Sequence, residues 1–225
     1  IDMRPGKGFT TSQSNEHLRV FSDKDRAKKA QWNYDPSREH LNFEIGKGGV
    51  VMKVNKMKSI PQRIAENLEA RGIKDPNLSL INQGKRPYFK TVANFILGGN
   101  REVMRNLAFG NQNVNWEQGA DNTQLKRMPE IENWAKDAYR FMCKKYGEKN
   151  IAAFVVHLDE ANPHIHCTVL PITPKEKFSF LGVFLDGHDD KEALSRHMTN
   201  LHTEFANEVG IKYGLERGDS IKETG

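Results

Sequence analysis

The sequence predicts an α+β fold, a central and mostly antiparallel sheet with helices packed on it. Three observations carry this. Residues 151 to 172, IAAFVVHLDEANPHIHCTVLPI, set two apolar, β-branched runs around a polar break at Asp159-Glu160-Ala161-Asn162-Pro163. That is the pattern of a β-hairpin with a loop longer than the tightest kind. The stretches 60–71, 129–146 and 191–209 repeat apolar residues at spacings of three and four, as core-facing helices do. Other short runs alternate in polarity, as half-buried antiparallel strands do.

Taken in order, a short strand at 1 to 4 leads into a Gly, Ser and Thr-rich stretch to residue 16 that reads as loop. Ser22 to Lys29, SDKDRAKK, reads as a solvated face or loop. Asp35-Pro36-Ser37 favours a turn. His40 to Ile45 alternates as a strand, with Leu41, Phe43 and Ile45 on one face. Lys47-Gly48-Gly49 turns the chain into a short strand at 50 to 54. Ser59 with Gln62 three residues later marks a helix start, and Gly72 marks its end. Residues 74 to 87 read as polar loop and 88 to 97, YFKTVANFIL, as a strand broken by Gly98-Gly99. A helix from 101 to 109 follows. Residues 110 to 127, rich in Asn, Gln and Gly, read as an irregular exposed flap. Pro129 opens a helix striped by Ile131, Trp134, Ala135, Ala138, Phe141 and Met142, and Gly147 closes it. After the hairpin, 178 to 185 reads as a further strand and 191 to 209 as the last long helix. The total is four or five strands.

The hairpin carries the chemistry. Side chains alternate along a strand, so Phe154, Val156 and Leu158 share one face and Val155, His157 and Asp159 the other. On the return strand Ile165, Cys167 and Val169 oppose His164, His166 and Thr168. With the apolar faces inward, His157, His164 and His166 cluster near the loop. Neutral imidazoles bind Zn, Mn, Fe, Co or Ni, and three of them leave positions open for water or substrate. A lone strand histidine is ordinarily just packed or solvated. Three of the chain's eight within ten residues and on one face favour a metal. Asp159 and Glu160 are placed to orient an imidazole or to complete the ligand set.

Composition narrows the class. In 225 residues, 37% are hydrophobic and 28% charged, enough for one large domain with a very polar surface. The formal net charge is +5 and the isoelectric point is near 9.1, which suits a polyanionic partner such as nucleic acid. Cys143 and Cys167 have no sequence neighbour to pair with, which fits a reducing cytoplasm. No apolar run is long enough for a membrane span, and no secretory signal is evident. The chain opens at Ile1 without Met, as a processed or trimmed chain would.

HLDEANPHIH at 157 to 166 resembles the histidine-hydrophobic-histidine motif of the HUH endonucleases, and more narrowly the H-x-D-E-x-x-P-H-x-H signature of the Mob/Pre (MobV) relaxases. DPSREHLNFEI at 35 to 45 is similar to that family's N-P-S-R-x-H-L-N-x-E block, and GLERG at 214 to 218 to the segment closing its nicking domain. The matched blocks span residues 16 to 218; the middle, 46 to 150, matches by element order only. The resemblance implies one relaxase domain over residues 1 to 225, the N-terminal part of a longer mobilisation protein. It implies an HUH-type sandwich with the metal site on the sheet. It also implies nicking and rejoining of one strand at a transfer origin, through a covalent link to the DNA 5′ end.

The implied cofactor is a divalent ion, Mn²⁺ or Mg²⁺, with Zn²⁺, Ni²⁺ or Co²⁺ able to occupy the same ligands. The implied partners are single-stranded and hairpin DNA of a transfer origin, and conjugation coupling proteins that engage a region outside this chain. Most relaxases use tyrosine as nucleophile; some of this family resemble a different solution, a histidine near the N-terminus. His17 is that candidate. In the family the histidine stands three residues before an arginine. Here Glu16 holds that place, and His17 stands two before Arg19. Tyr34 is the alternative nucleophile and Tyr88 a more remote one. Asp159 or Glu160 would accept or orient the proton of His17. Arg19, Arg38 and His40, with Arg4 and Lys7 near the N-terminus, are candidates for phosphate contacts. Trp32, Tyr34 and Trp116 are candidates for stacking on unpaired bases.

Three other functions compete. A rolling-circle initiator or HUH transposase normally carries a tyrosine on a helix after the histidine strand, and only Tyr213, in the polar tail, follows it here. A DNA-binding regulator with a structural metal would more often show four ligands including Cys. A small-molecule metal hydrolase would not need the basic balance.

Overall fold

A computed structural model of the chain describes residues 1–31, 34–188 and 190–218. Trp32 lies outside the described residues. Six strands form one antiparallel sheet: β1 (Asp2–Gly6), β2 (Phe43–Gly46), β3 (Val50–Lys53), β4 (Val92–Leu97), β5 (Ile151–His157) and β6 (His164–Val169), in the order β1-β4-β6-β5-β2-β3. The α+β class and the central antiparallel sheet are as the sequence predicts, with one strand more than the upper expectation. The hairpin of β5 and β6 sits in the middle of the sheet, where both strands are paired on both sides.

Helices cover both faces. On one face lie α5 (Arg101–Phe109), α6 (Pro129–Tyr146) and α8 (Lys191–Glu208). There Phe43, Phe95, Phe154, Val156 and Ile165 of the sheet meet Trp134, Phe141, Met142 and Leu201 of the helices in the largest core cluster. Each such side chain, fully buried, contributes roughly 1.5–3 kcal/mol. On the other face lie α1 (Thr11–Leu18) and α3 (Ile60–Ala70), with Leu18 and Ile60 packed on Ala153 and Val155. The face of β5 and β6 that carries the histidines is thus also packed. The structure makes it a second, smaller core along most of the strands and leaves only the histidine end for chemistry.

Several elements differ from expectation, each for a local reason. The stretch to residue 16 expected as loop contains α1. Its start is a capping box, in which Thr10 accepts from the Gln13 backbone N–H while the Gln13 side chain binds back to the Thr10 backbone. Only Ser14 and Leu18, one turn apart, are buried, so there is almost no apolar stripe to read. Ser22 to Lys29 is likewise helical, as α2 (Asp23–Ala30), with Ser22 as N-cap and no buried residue at all. The 74–87 loop holds a short helix, α4 (Leu78–Asn82). The strand expected from residue 88 starts at Val92, because the backbone N–H groups of Tyr88 and Phe89 both donate to the Asn77 side chain instead of a neighbouring strand. His40 and Leu41 belong to a 3₁₀ turn, Pro36–Leu41, and β2 begins only at Phe43. The strand expected at 178 to 185 is a short helix, α7 (Phe180–Phe184); Ser179 caps it and the two phenylalanines, one turn apart, both point inward.

Candidate metal and nicking centre

The register of the hairpin places the three histidines together. His157 pairs directly with His164, and Val155 with His166, so the three imidazoles share the α1 face of the sheet. Their nearest ligand nitrogens all lie within 4.8 Å of one another. His157 is fully buried, while His164 and His166 are partly exposed, so the cluster is closed at its base and open outward.

Hydrogen bonds fix two of the tautomers. His157 Nε2 is 2.8 Å from the His17 carbonyl oxygen. A carbonyl only accepts, so Nε2 carries the proton and Nδ1 keeps a lone pair that is buried and without a partner. His164 Nδ1 is 2.8 Å from the Asn162 carbonyl and donates to it, leaving its Nε2 lone pair facing His166 Nε2 at 2.9 Å. Two nitrogens bound at right angles to one ion, with bonds of about 2.0–2.1 Å, would stand about 3 Å apart. The donor set, the orphaned buried nitrogen and the carbonyl-anchored rings therefore fit a divalent ion held by His157, His164 and His166. Replacing His164 by Ala is expected to weaken Mn²⁺ binding at least about 100-fold, beyond the ~10–100-fold loss typical of residues that merely support a ligand. Calorimetric titration checks this, and near-native affinity would remove His164 from the ligand set.

Helix α1 delivers His17 to this cluster. Its ring stacks on His166 with centroids 4.1 Å apart, and it stands 6.5 Å from the ring of His157. Arg19 then ends the helix in the left-handed region, at φ 55, a conformation a non-glycine residue adopts only when its surroundings hold it. Those surroundings are explicit. Arg19 Nε and Nη2 clamp both oxygens of Asp159 at 2.9 and 2.8 Å, Nη2 reaches Glu160 at 2.6 Å, and Nη1 donates to the Glu16 carbonyl. Arg19 is 2% exposed and Asp159 0%. Burial works against the guanidinium charge, yet the bonds and charges of Asp159 and Glu160 outweigh it and hold Arg19 protonated. Glu16, which stands in the family's histidine register, turns to solvent and pairs with Lys29. The two-residue spacing of His17 and Arg19 thus still brings both to the hairpin.

Burial lowers the proton affinity of His17 to about 4, helped by the charges of Arg19 and His164. Burial, with Arg19 and the neighbouring imidazoles, likewise takes His157 and His166 well below 6.5. As pH falls through the ordinary histidine value of about 6.5, the unfolded chain takes up these protons and the folded chain does not. The unfolded state then binds more protons, so stability must fall with falling pH. Chelator-treated protein should show a dropping thermal midpoint between about pH 7 and pH 5; a flat midpoint would contradict the buried neutral cluster.

Asp159 and Glu160, both sequence candidates, take different places. Both oxygens of Asp159 are occupied by Arg19, and Asn42 adds a third bond at 2.6 Å while accepting the Leu158 N–H at 2.7 Å. Glu160 is 24% exposed, and its Oε1 lies 3.8 Å from the lone-pair nitrogen of His157. Asn42 was missed as a site residue. The available signal was its match to the asparagine of the H-L-N-x-E block, but an asparagine in an alternating run reads as a solvent-side residue.

The remaining candidates separate. The Tyr34 ring is buried and its hydroxyl is engaged by Arg26, at 2.6 Å, and by Glu39. Burial, then the bond and charge of Glu39, push its proton affinity up, which opposes use as a nucleophile. Tyr34 also lacks an open face for base stacking. Arg38 is 4% exposed, paired with Asp35 at 2.7 Å and donating to the carbonyls of Leu158 and Glu160. It holds the hairpin loop to the 35–41 turn and has no free edge for a phosphate. His40 is exposed but bridges the Ser37 and Leu125 carbonyls. Arg4 and Lys7 are exposed on and just beyond β1; Arg4 pairs with Asp2, and Lys7 lies 5.8 Å over the Tyr88 ring.

Comparison with known proteins gives the following similarities. The sequence model of a family described as plasmid recombination enzyme (Mob_Pre) matches residues 74–224. A plasmid recombination enzyme type 1 of Staphylococcus aureus is 35% identical over 95 residues, covering 42% of this chain and 22% of that protein. A plasmid recombination enzyme of Lactiplantibacillus plantarum is 27% identical over 143 residues, covering 62% and 37%. The chain thus spans between 22% and 37% of the length of these two relatives. Among solved structures, the MobM relaxase domain bound to oriT DNA of plasmid pMV158, Mn-bound at pH 5.5, aligns over 97% of this chain and 88% of that one, with a TM-score of 0.62 and 23% identity. The Mn-bound form at pH 6.8 gives 0.60 at 21% identity. Among the described residues no helix is long and apolar enough to cross a membrane.

Proposed function

The chain belongs to the Mob/Pre family of plasmid recombination enzymes, and from that premise we propose that it nicks and rejoins one DNA strand at a transfer origin, starting plasmid or transposon mobilisation, with His17 as the nucleophile. The observation that carries this is the stacking of His17 on His166 in a pocket where its imidazole is kept neutral. A neutral imidazole has a lone pair to offer, and at neutral pH burial ensures that it is not spent on a proton.

His157, His164 and His166 would hold a divalent ion, which when bound would neutralise charge on the scissile phosphate. The lone pair of His17 would attack phosphorus; the bond to the 3′ oxygen would break, and the proton that His17 sheds would pass through Glu160 to that oxygen, which leaves as a 3′-OH. The 5′ phosphoryl group stays on His17, and the reverse attack by a 3′-OH rejoins the strand without ATP. Glu160, partly exposed and close to the cluster, is placed to take the proton His17 sheds. Asp159 has no free oxygen for that task and acts by fixing Arg19, which in turn fixes the chain direction after His17.

A single-stranded origin DNA, with its adjoining hairpin, is the substrate this reading requires. Residues 1 to 225 would form the nicking domain, acting in the bacterial cytoplasm, and coupling proteins would engage parts of the longer relatives that this chain does not cover. The rolling-circle alternative needs a free tyrosine after the histidine strand, and the hydroxyl of Tyr213, which follows it, is held by Asp137 at 3.0 Å. Incubation with Mn²⁺ and an end-labelled single-stranded origin oligonucleotide should yield one cut strand and a protein-linked fragment. Metal binding without any cleavage of the origin strand would sink the proposal.

A further inference from the structure

A groove of about 470 Å³ runs beside the hairpin loop, with Tyr34, Arg38, Arg105, Trp116, Glu117 and Ala161 among its lining. Trp116 belongs to the irregular stretch between α5 and α6, and 40% of its surface is exposed. Large aromatic surface is normally withdrawn from water. The ring stands T-shaped to Phe109, with centroids 5.9 Å apart, and the guanidiniums of Arg105 and Arg38 lie 3.5 and 4.7 Å from its centroid. Arg105 Nε donates to the Ala161 carbonyl at 2.9 Å, one residue beyond Glu160 of the nicking centre. The groove therefore adjoins that centre through the same loop.

Its charge is mixed, with Arg38 and Arg105 set among Asp35, Glu117 and Asp121. Arg38 is neutralised by Asp35. Arg101 and Arg105 stand one turn apart on α5, and among the described residues neither has a carboxylate partner within ion-pair distance. Like charges at that spacing oppose each other. Burial, and then the charges of Arg101 and Arg38, lower the proton affinity of Arg105. The carboxylates of Glu117 and Asp121 disfavour a second phosphate in the groove.

We propose that this groove is a subsite for one unpaired nucleotide of the strand being cut, its base stacked on Trp116 and its phosphate held by Arg105. Exposed indole beside a guanidinium is the pairing that single-strand sites use, because every base has a stacking face and every nucleotide a charge. The inference rests on the nicking role proposed above, and its test reads binding separately from cleavage.

The chain has three tryptophans. In a Trp32→Phe protein, only Trp116 and the fully buried Trp134 emit. Titration with poly(dT) should quench that emission saturably, and heparin, a polyanion without bases, should not. Adding Trp116→Phe should remove the quenching but keep most of the affinity. Trp116→Ala should weaken poly(dT) binding about five- to hundredfold, the range for one stacked base. Arg105→Ala should lower the slope of log affinity against log salt by about 0.7. Quenching that survives loss of Trp116, or affinity indifferent to Trp116→Ala, overturns the subsite while leaving nicking intact. No binding of poly(dT) or origin DNA by any form overturns the subsite and the proposed function together.

Discussion

His17→Ala is expected to lower nicking of the origin strand by about 10³-fold or more and to abolish the covalent protein–DNA product. The reasoning is geometric. His17 is the fourth imidazole of the cluster but the one not carried by the hairpin; its ring lies on His166 while its carbonyl anchors His157. The backbone contribution survives substitution, so metal binding should persist with near-native affinity. That split separates a nucleophile from a ligand. Tyr34→Phe, by contrast, loses only bonds to Arg26 and Glu39 and should keep most activity. Gel separation of labelled strands, with calorimetry for the metal, measures both. A His17→Ala protein that still forms the adduct would move the nucleophile elsewhere.

Arg19→Ala is expected to cost about 3–5 kcal/mol of stability and most of the activity. Asp159 is fully buried, and among the described residues removing Arg19 leaves its charge with only Asn42 as a side-chain partner. An unpaired buried carboxylate is far costlier than the lost pair is valuable. The double variant Arg19→Met with Asp159→Leu should therefore recover much of the stability. It should not recover nicking, because the left-handed turn at Arg19 that follows His17 would no longer be clamped to the loop. Urea unfolding gives the stability; recovery of nicking by the double variant would show that Arg19 serves stability only.

The parts legible in the sequence were those where one periodicity dominates. The stripe of α6 and the alternation of β5 and β6 each bury one continuous face, and their boundaries follow from Pro129, Gly147 and the loop at 159 to 163. The histidine triad was readable because strand alternation alone puts His164 and His166 on one side and the register puts His157 opposite. Helix α1 was not readable by that route. It buries two side chains, so its signal was the Thr10 and Gln13 capping pair and not a stripe. Arg19 and Arg38 looked like phosphate contacts because a basic residue in a loop is usually solvated. Their partners, Asp159 and the carbonyls of Leu158 and Glu160, lie 120 to 141 residues away and are brought near only by the fold. The Tyr34 hydroxyl, bound by Arg26 and Glu39, was hidden in the same way.

The most direct test of the account is to trap the product of Mn²⁺-dependent cleavage and map the attached nucleotide by mass spectrometry. The account predicts a single adduct on the His17 peptide, labile in acid as a phosphoramidate is and absent from His17→Ala protein. An acid-stable adduct on Tyr34, or cleavage with no protein-linked 5′ end, would contradict it.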